Sequence, residues 1–117
     1  MTRTYLGRSD RFWKAVWVNV SEMQQKIIEA VKPGVSMEEI QKLYESLAAK
    51  KGYKVCHSFG HGLGLDVHEQ VTGRLSKGMV ITVEPGVYLK HRGSVRIEDT
   101  ILVRKGEPEI LSKAIRY

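Results

Sequence analysis

Three short stretches of the chain concentrate polar groups that a folded core does not need. The first is His57-Ser58-Phe59-Gly60-His61-Gly62-Leu63-Gly64-Leu65-Asp66-Val67-His68-Glu69, which holds three of the four histidines within twelve residues. Imidazole is the commonest metal ligand and titrates near neutral pH. The glycines around His61 suit backbone held in special conformations, or backbone that a ligand, metal or substrate approaches closely. The second is Glu84, directly after the apolar run Val80-Ile81-Thr82-Val83. A carboxylate at the end of a buried strand is costly unless it is paired, protonated or bound to a metal. The third is Arg96-Ile97-Glu98-Asp99. In a strand, Arg96, Glu98 and Thr100 share one face, so Glu84 and Glu98 can meet across neighbouring strands. Two carboxylates that close repel unless a cation or proton lies between them. With His61 they form a donor set suited to Mn, Co, Fe or Zn.

Ordinary readings compete with each of these. A lone histidine is often a satisfied core or surface group, Glu84 can pair with Arg96, and Arg96 and Glu98 can simply face solvent. Cys56 beside His57 suggests a nucleophile pair, but adjacent strand residues point to opposite faces. From the residues alone, a metal site of one histidine and two glutamates stands beside plain ion pairing.

The elements that must position these groups are legible from periodicity. Trp13, Val16, Trp17, Val20, Met23, Ile27 and Val31 recur at steps of three and four, which predicts a helix over residues 11–31. Ser9 or Asp10 can cap its start and Pro33-Gly34 ends it. Ser36 opens a second helix, with Glu39 at capping-box spacing. Ile40, Leu43, Tyr44 and Leu47 are its apolar stripe, and Gly52 is its expected C-terminal cap. Beyond it the pattern changes. Residues 79–83 read as a buried strand broken by Pro85-Gly86, and 87–89 as a candidate partner strand. Residues 95–103 read as a strand with Val95, Ile97, Ile101 and Val103 on one face. A turn at Lys105-Gly106 and a short strand at 109–111 follow. Helices first and strands later give an α+β domain, two N-terminal helices packed on an antiparallel-rich sheet.

Composition sets the outer limits. A length of 117 residues suits one domain. With 42% apolar and 27% charged residues, the balance is that of an ordinary globular protein. The formal charge of +6 comes from scattered basic residues, which argues for a solvated surface over nucleic-acid binding. No apolar run is long enough for a membrane helix, and a single cysteine fits a reducing, cytoplasmic setting.

The three polar stretches together resemble signatures of the pita-bread-fold metallopeptidases of the prolidase (Xaa-Pro dipeptidase) and aminopeptidase P type. They are His57 to Glu69, Ile81-Thr82-Val83-Glu84-Pro85-Gly86-Val87-Tyr88, and Val95-Arg96-Ile97-Glu98-Asp99-Thr100, in the family's order. Ala30-Val31-Lys32-Pro33-Gly34 fits as well, and the resemblance extends over essentially the whole chain. It implies the C-terminal half of a pita-bread (creatinase/aminopeptidase) catalytic domain over residues 1–117. It also implies hydrolysis of an Xaa-Pro peptide bond by a water activated on divalent metal, normally two ions of Mn, Co, Fe or Zn. By resemblance, His61, Glu84 and Glu98 are metal ligands, and Glu84 also handles the proton of the attacking water. His57 and His68 line the substrate site and stabilise charge at the scissile carbonyl. Arg96 supports the metal cluster and borders the substrate.

The resemblance also implies what is missing. The family takes two further aspartate ligands from the N-terminal half of the domain, the second of them just before the segment matching Thr2-Arg3-Thr4-Tyr5. That place is taken by Met1 here or lies one residue upstream of it, and Asp10 is no match. Weak metal binding and weak or absent activity of the chain alone are therefore expected. The alternative is a non-catalytic, metal-free interaction or structural half-domain of the same descent. A metal-free creatinase-like hydrolase is disfavoured by the intact metal-type residues. An isolated half would also bare the apolar face that meets its other half. Trp13, Trp17, Val80, Ile81 and Val83 are the candidates for that face, so a homodimer or a complementing N-terminal half is the expected partner.

Overall fold

A computed structural model describes residues 1–8 and 11–113. Helix α1 spans Arg11–Ala30 and α2 spans Met37–Lys50. Six short strands follow: β1 Gly62–Leu63, β2 Val80–Val83, β3 Gly86–Leu89, β4 Gly93–Arg96, β5 Asp99–Leu102 and β6 Glu109–Ile110. The expected caps of α1 at Ser9 or Asp10 lie outside the described residues. Helix α2 has the full capping box: the Glu39 backbone N–H donates to Ser36 Oγ, and the Ser36 N–H donates to Glu39 Oε2. Its C-terminus closes as the glycine spacing foretold. Gly52 adopts φ 76°, its N–H donates to Ala49 O, and the Tyr53 N–H donates to Ala48 O. This is a Schellman motif, and the left-handed position at its centre favours glycine.

The sheet is antiparallel throughout. Strands β1, β2, β5 and β6 lie side by side in that order, while β3 and β4 form a separate hairpin. Two expectations need correction here. The partner of β3 is β4, not β2, because Pro85-Gly86 carries the chain onward instead of reversing it. The single strand expected over residues 95–103 is two strands, β4 and β5, with Ile97 and Glu98 between them. Even so, the register runs through the break. Val83 stands opposite Asp99 and Gly86 opposite Arg96, which leaves Glu84 facing Glu98 and Pro85 facing Ile97 in the gap. Proline has no N–H to give a ladder. At the gap one direct bond remains, Ile97 N–H to Pro85 O at 3.4 Å, and the rest turn to third parties: Glu84 N–H donates to Phe59 O, and Glu98 exchanges two hydrogen bonds with Thr2.

The core lies between α1, α2 and the strands. Val16, Val20, Met23 and Ile27 from α1 and Ile40, Tyr44 and Leu47 from α2 pack with Ile81, Val83, Val95, Ile97, Ile101 and Val103. Burial of each such aliphatic side chain is worth roughly 1.5–3 kcal/mol. The apolar face expected to be bare is largely covered. Ile81 and Val83 are fully buried because their strand parity points them at the helices, Trp13 and Trp17 pack partly against the same core, and Val80 is half-buried. Trp17 also donates its indole N–H to Thr4 O, holding the N-terminal segment. Among the described residues the most exposed large apolar side chains are Leu65 and Val67, beside the histidines.

Candidate metal centre

His61, Glu84 and Glu98 each offer a ligand atom, and these atoms all lie within 4.8 Å of one another. The fold explains the convergence. Glu84 and Glu98 occupy facing positions in the ladder gap, so their side chains leave the sheet on the same side. His61 immediately precedes β1, which pairs with β2, and the Thr82 N–H donates to His61 O at 2.8 Å. This puts His61 opposite Thr82, two residues from Glu84 and on the same face. Thr82 Oγ1 accepts from the His61 N–H at 3.0 Å and lies 3.4 Å from Glu84 Oε1.

The glycines of the first stretch keep this packing close. None of Gly60, Gly62 and Gly64 has a positive φ, so special conformation is not their reason. A Cβ on Gly60 would lie 1.9 Å from Thr82 O, and one on Gly64 would lie 2.2 Å from Glu69 Oε2. What approaches the backbone is the protein's own chain.

The donor set fits a divalent cation. His61 Nδ1 lies 2.9 Å from Gly62 O, and since a carbonyl only accepts, Nδ1 carries the proton. In the neutral ring, Nε2 then presents a lone pair 3.4 Å from Glu84 Oε1. Two acceptors in that position need a proton or a cation between them. A second carboxylate, Glu98, faces the same space, which favours a doubly charged ion over a single proton. Glu98 Oε2 accepts from Thr2 Oγ1 at 2.5 Å. Such an outer hydrogen bond orients a ligating carboxylate.

The remaining residues singled out in the sequence lie close by. The His68 ring lies against that of His61, with centroids 4.2 Å apart and planes tilted by 38°. His57 accepts from Tyr88 Oη at Nε2 (3.0 Å), its Nδ1 proton going to Ser58 O (2.7 Å). Arg96 does not pair with Glu84. Its guanidinium reaches Thr2 Oγ1 at 3.5 Å and so touches the cluster through Thr2, while Glu84 faces His61.

Several contributors escape the sequence reading. Tyr44 Oη donates to Gly86 O and accepts from Gly86 N–H, both at 3.1 Å, fixing the backbone two residues beyond Glu84. Burial pushes its hydroxyl pKa up, keeping it a neutral donor. Asp99 is fully buried and pairs with Arg3 at 2.5 Å, also accepting from Ser112 Oγ and Gln24 Nε2. Strand parity held a signal for Asp99, which shares its face with Ile97 and Ile101. No comparable signal pointed to Thr2 or Arg3.

Comparison with known proteins decides the descent. The model of metallopeptidase family M24 matches residues 1–105. This chain belongs to family M24. It is 41% identical, over 99% of its length, to the Xaa-Pro dipeptidase of Pyrococcus horikoshii and 36% identical to that of Pyrococcus furiosus. Solved M24 structures superpose closely. The prolidase from Pyrococcus horikoshii gives a TM-score of 0.87 at 40% identity over 94% of this chain. The X-Pro aminopeptidase from Thermotoga maritima gives 0.90 at 31% identity over 97%. The fold is therefore part of a pita-bread domain. The chain spans about a third of the curated relatives it matches, 36% in both Pyrococcus dipeptidases.

Proposed function

We propose that this chain carries one part of the metal centre of an Xaa-Pro peptidase, and that His61, Glu84 and Glu98 hold the ion. The observation that carries the reading is the convergence of these three side chains, from three separate segments, on one space. Membership of M24 and similarity to Xaa-Pro dipeptidases support the substrate class.

A bound divalent ion would supply an acidified water and a polarised peptide carbonyl. The chain's own groups do the rest. Glu84, which lies beside His61 in the cluster, would accept the proton of that water. His57, oriented by Tyr88, and His68, whose ring lies against His61, border the substrate carbonyl. Arg96, acting through Thr2, braces Glu98. Three protein ligands leave positions for further ligands, and residue 1 lies next to them, its nitrogen 3.6 Å from Glu98 Oε2. We assign the two aspartates of the family to sequence outside this chain. Residues 1–117 then act as the C-terminal half of the catalytic domain, completed by an N-terminal half or by a second copy. Exposed Leu65 and Val67 are the side chains such a partner would cover. Among the described residues no helix is long and apolar enough to cross a membrane. A reducing, cytoplasmic setting is part of the same proposal.

Isothermal titration with Mn(II) and Co(II), with Glu98→Ala as control, tests the reading. Binding that disappears in the control supports it and leads to assay of Xaa-Pro hydrolysis, with and without an added N-terminal half. Absence of binding at millimolar metal favours a non-catalytic half-domain of peptidase descent.

A further inference from the structure

Behind the two carboxylates, on the helix side of the sheet, stands one polar side chain where the pattern calls for an apolar one. Gln24 lies in α1 between Met23 and Ile27, is fully buried, and points at the ladder gap. Its Nε2 lies 3.3 Å from Val83 O, 3.2 Å from Ile97 O and 3.0 Å from Asp99 Oδ2. Val83 immediately precedes Glu84, and Ile97 immediately precedes Glu98. A single amide group thus bonds both strands one residue before each carboxylate, at the place where Pro85 accepts from the Ile97 N–H (3.4 Å) but has no N–H to return to Ile97 O. All three partners are acceptors, so the amide orientation is fixed by its surroundings. The other end, Oε1, is buried with no hydrogen-bond partner. A methionine or leucine would fill the space without burying that carbonyl. The unfavourable oxygen is explained if the N–H groups are needed where they are.

We propose that Gln24 is a positioning residue that sets the separation of Glu84 and Glu98 by clamping β2 to the segment between β4 and β5. The proposal rests on the metal-centre reading above. Asp99 steadies the clamp from the far side. It accepts from Gln24, Arg3 and Ser112, and Arg3 Nη1 also donates to Glu98 O at 2.7 Å. Chelation by two carboxylates tolerates displacements of only about 0.5 Å, so loss of the clamp is felt at the ion before it is felt by the fold.

Gln24→Met keeps the volume and removes the donors. Gln25→Met, at an exposed neighbour on the same helix, is the control. The measurements are the Co(II) dissociation constant by calorimetry, the visible absorption of bound Co(II), and the thermal midpoint without metal. The expected result for Gln24→Met is a cooperative thermal transition, at least tenfold weaker Co(II) binding and an altered Co(II) spectrum, with Gln25→Met unchanged. Binding within twofold of the parent chain with the same spectrum would overturn the proposal. If Gln24→Met does not fold, NMR of the parent chain decides. The Gln24 side-chain NH2 resonances should move on Zn(II) addition with the same midpoint as the Glu84 and Glu98 backbone amides, and their failure to move overturns the proposal. Should the parent chain bind neither ion, the metal-centre reading itself fails and the clamp falls with it.

Discussion

Gly60 shows how tightly single residues determine this site. A methyl group there would meet the Thr82 carbonyl at 1.9 Å, and backbone has no easy way to yield. Gly60→Ala is expected to destabilise the chain by about 3 kcal/mol or more, at the upper end of overpacking costs, which urea unfolding would measure. Tyr44→Phe tests the bond beyond Glu84. It removes the partner of both the Gly86 N–H and C=O, and a loss of about 2 kcal/mol is expected for the buried groups left unpaired. At this scale the sequence was partly legible. His61, Glu84 and Glu98 stood out because chemistry-bearing types sat beside strand and glycine signals. Gln24, Thr2 and Arg3 did not, because what matters about them is where the fold carries them, and residue type alone says nothing of that.

Among the elements, α2 was the most readable, since capping is local. Ser36→Ala is expected to cost about 1 kcal/mol. Glu39 adds a pH dependence. The Ser36 backbone N–H, then the Ser36 hydroxyl and nearby Arg74, hold its carboxyl below the usual carboxylate range. Its contribution is therefore complete above the unfolded-state pKa and fades as pH falls through the lower folded-state value. The stability difference between the parent chain and Glu39→Ala should accordingly be present at pH 7 and shrink below roughly pH 4, as denaturant titrations across that range would show. The strands were harder to read. Alternation found the buried faces but merged β4 with β5, because periodicity is preserved through a gap whose register never slips. Pro85 marked the break on one strand only. Its counterpart at Ile97-Glu98 is imposed by pairing with Thr2, nearly the full length of the sequence away.

For the whole molecule, two expectations follow. The Arg3–Asp99 pair is buried, with side-chain exposures of 7% and 0%. Breaking such a pair from one side strands a charge, so Arg3→Ala should cost about 3–5 kcal/mol in chemical denaturation. A bound ion, if His61, Glu84 and Glu98 hold it, must stabilise the fold by mass action, by about 2.7 kcal/mol at a hundredfold excess over the dissociation constant. A thermal midpoint that rises with Mn(II) in the parent chain and stays level in Glu98→Ala is the expected outcome. The architecture of two helices on antiparallel strands was readable from pattern alone. The covered state of Ile81 and Val83 was not, because parity gives the face a side chain takes and leaves open what lies against it.

The bridge between Thr2 and Glu98 has a consequence in time. Its two residues are 96 positions apart, and joining ends so distant costs about 4 kcal/mol of chain entropy before any contact returns it. During synthesis Thr2 leaves the ribosome before Glu98 and waits for it for the time that the 96 intervening positions take, several seconds at about 5–20 residues per second. The helices can pair early, since their contacts are short-range. The carboxylate cluster thus assembles after the two helices, and a newborn chain passes through a stage in which its scaffold is built and its site is not.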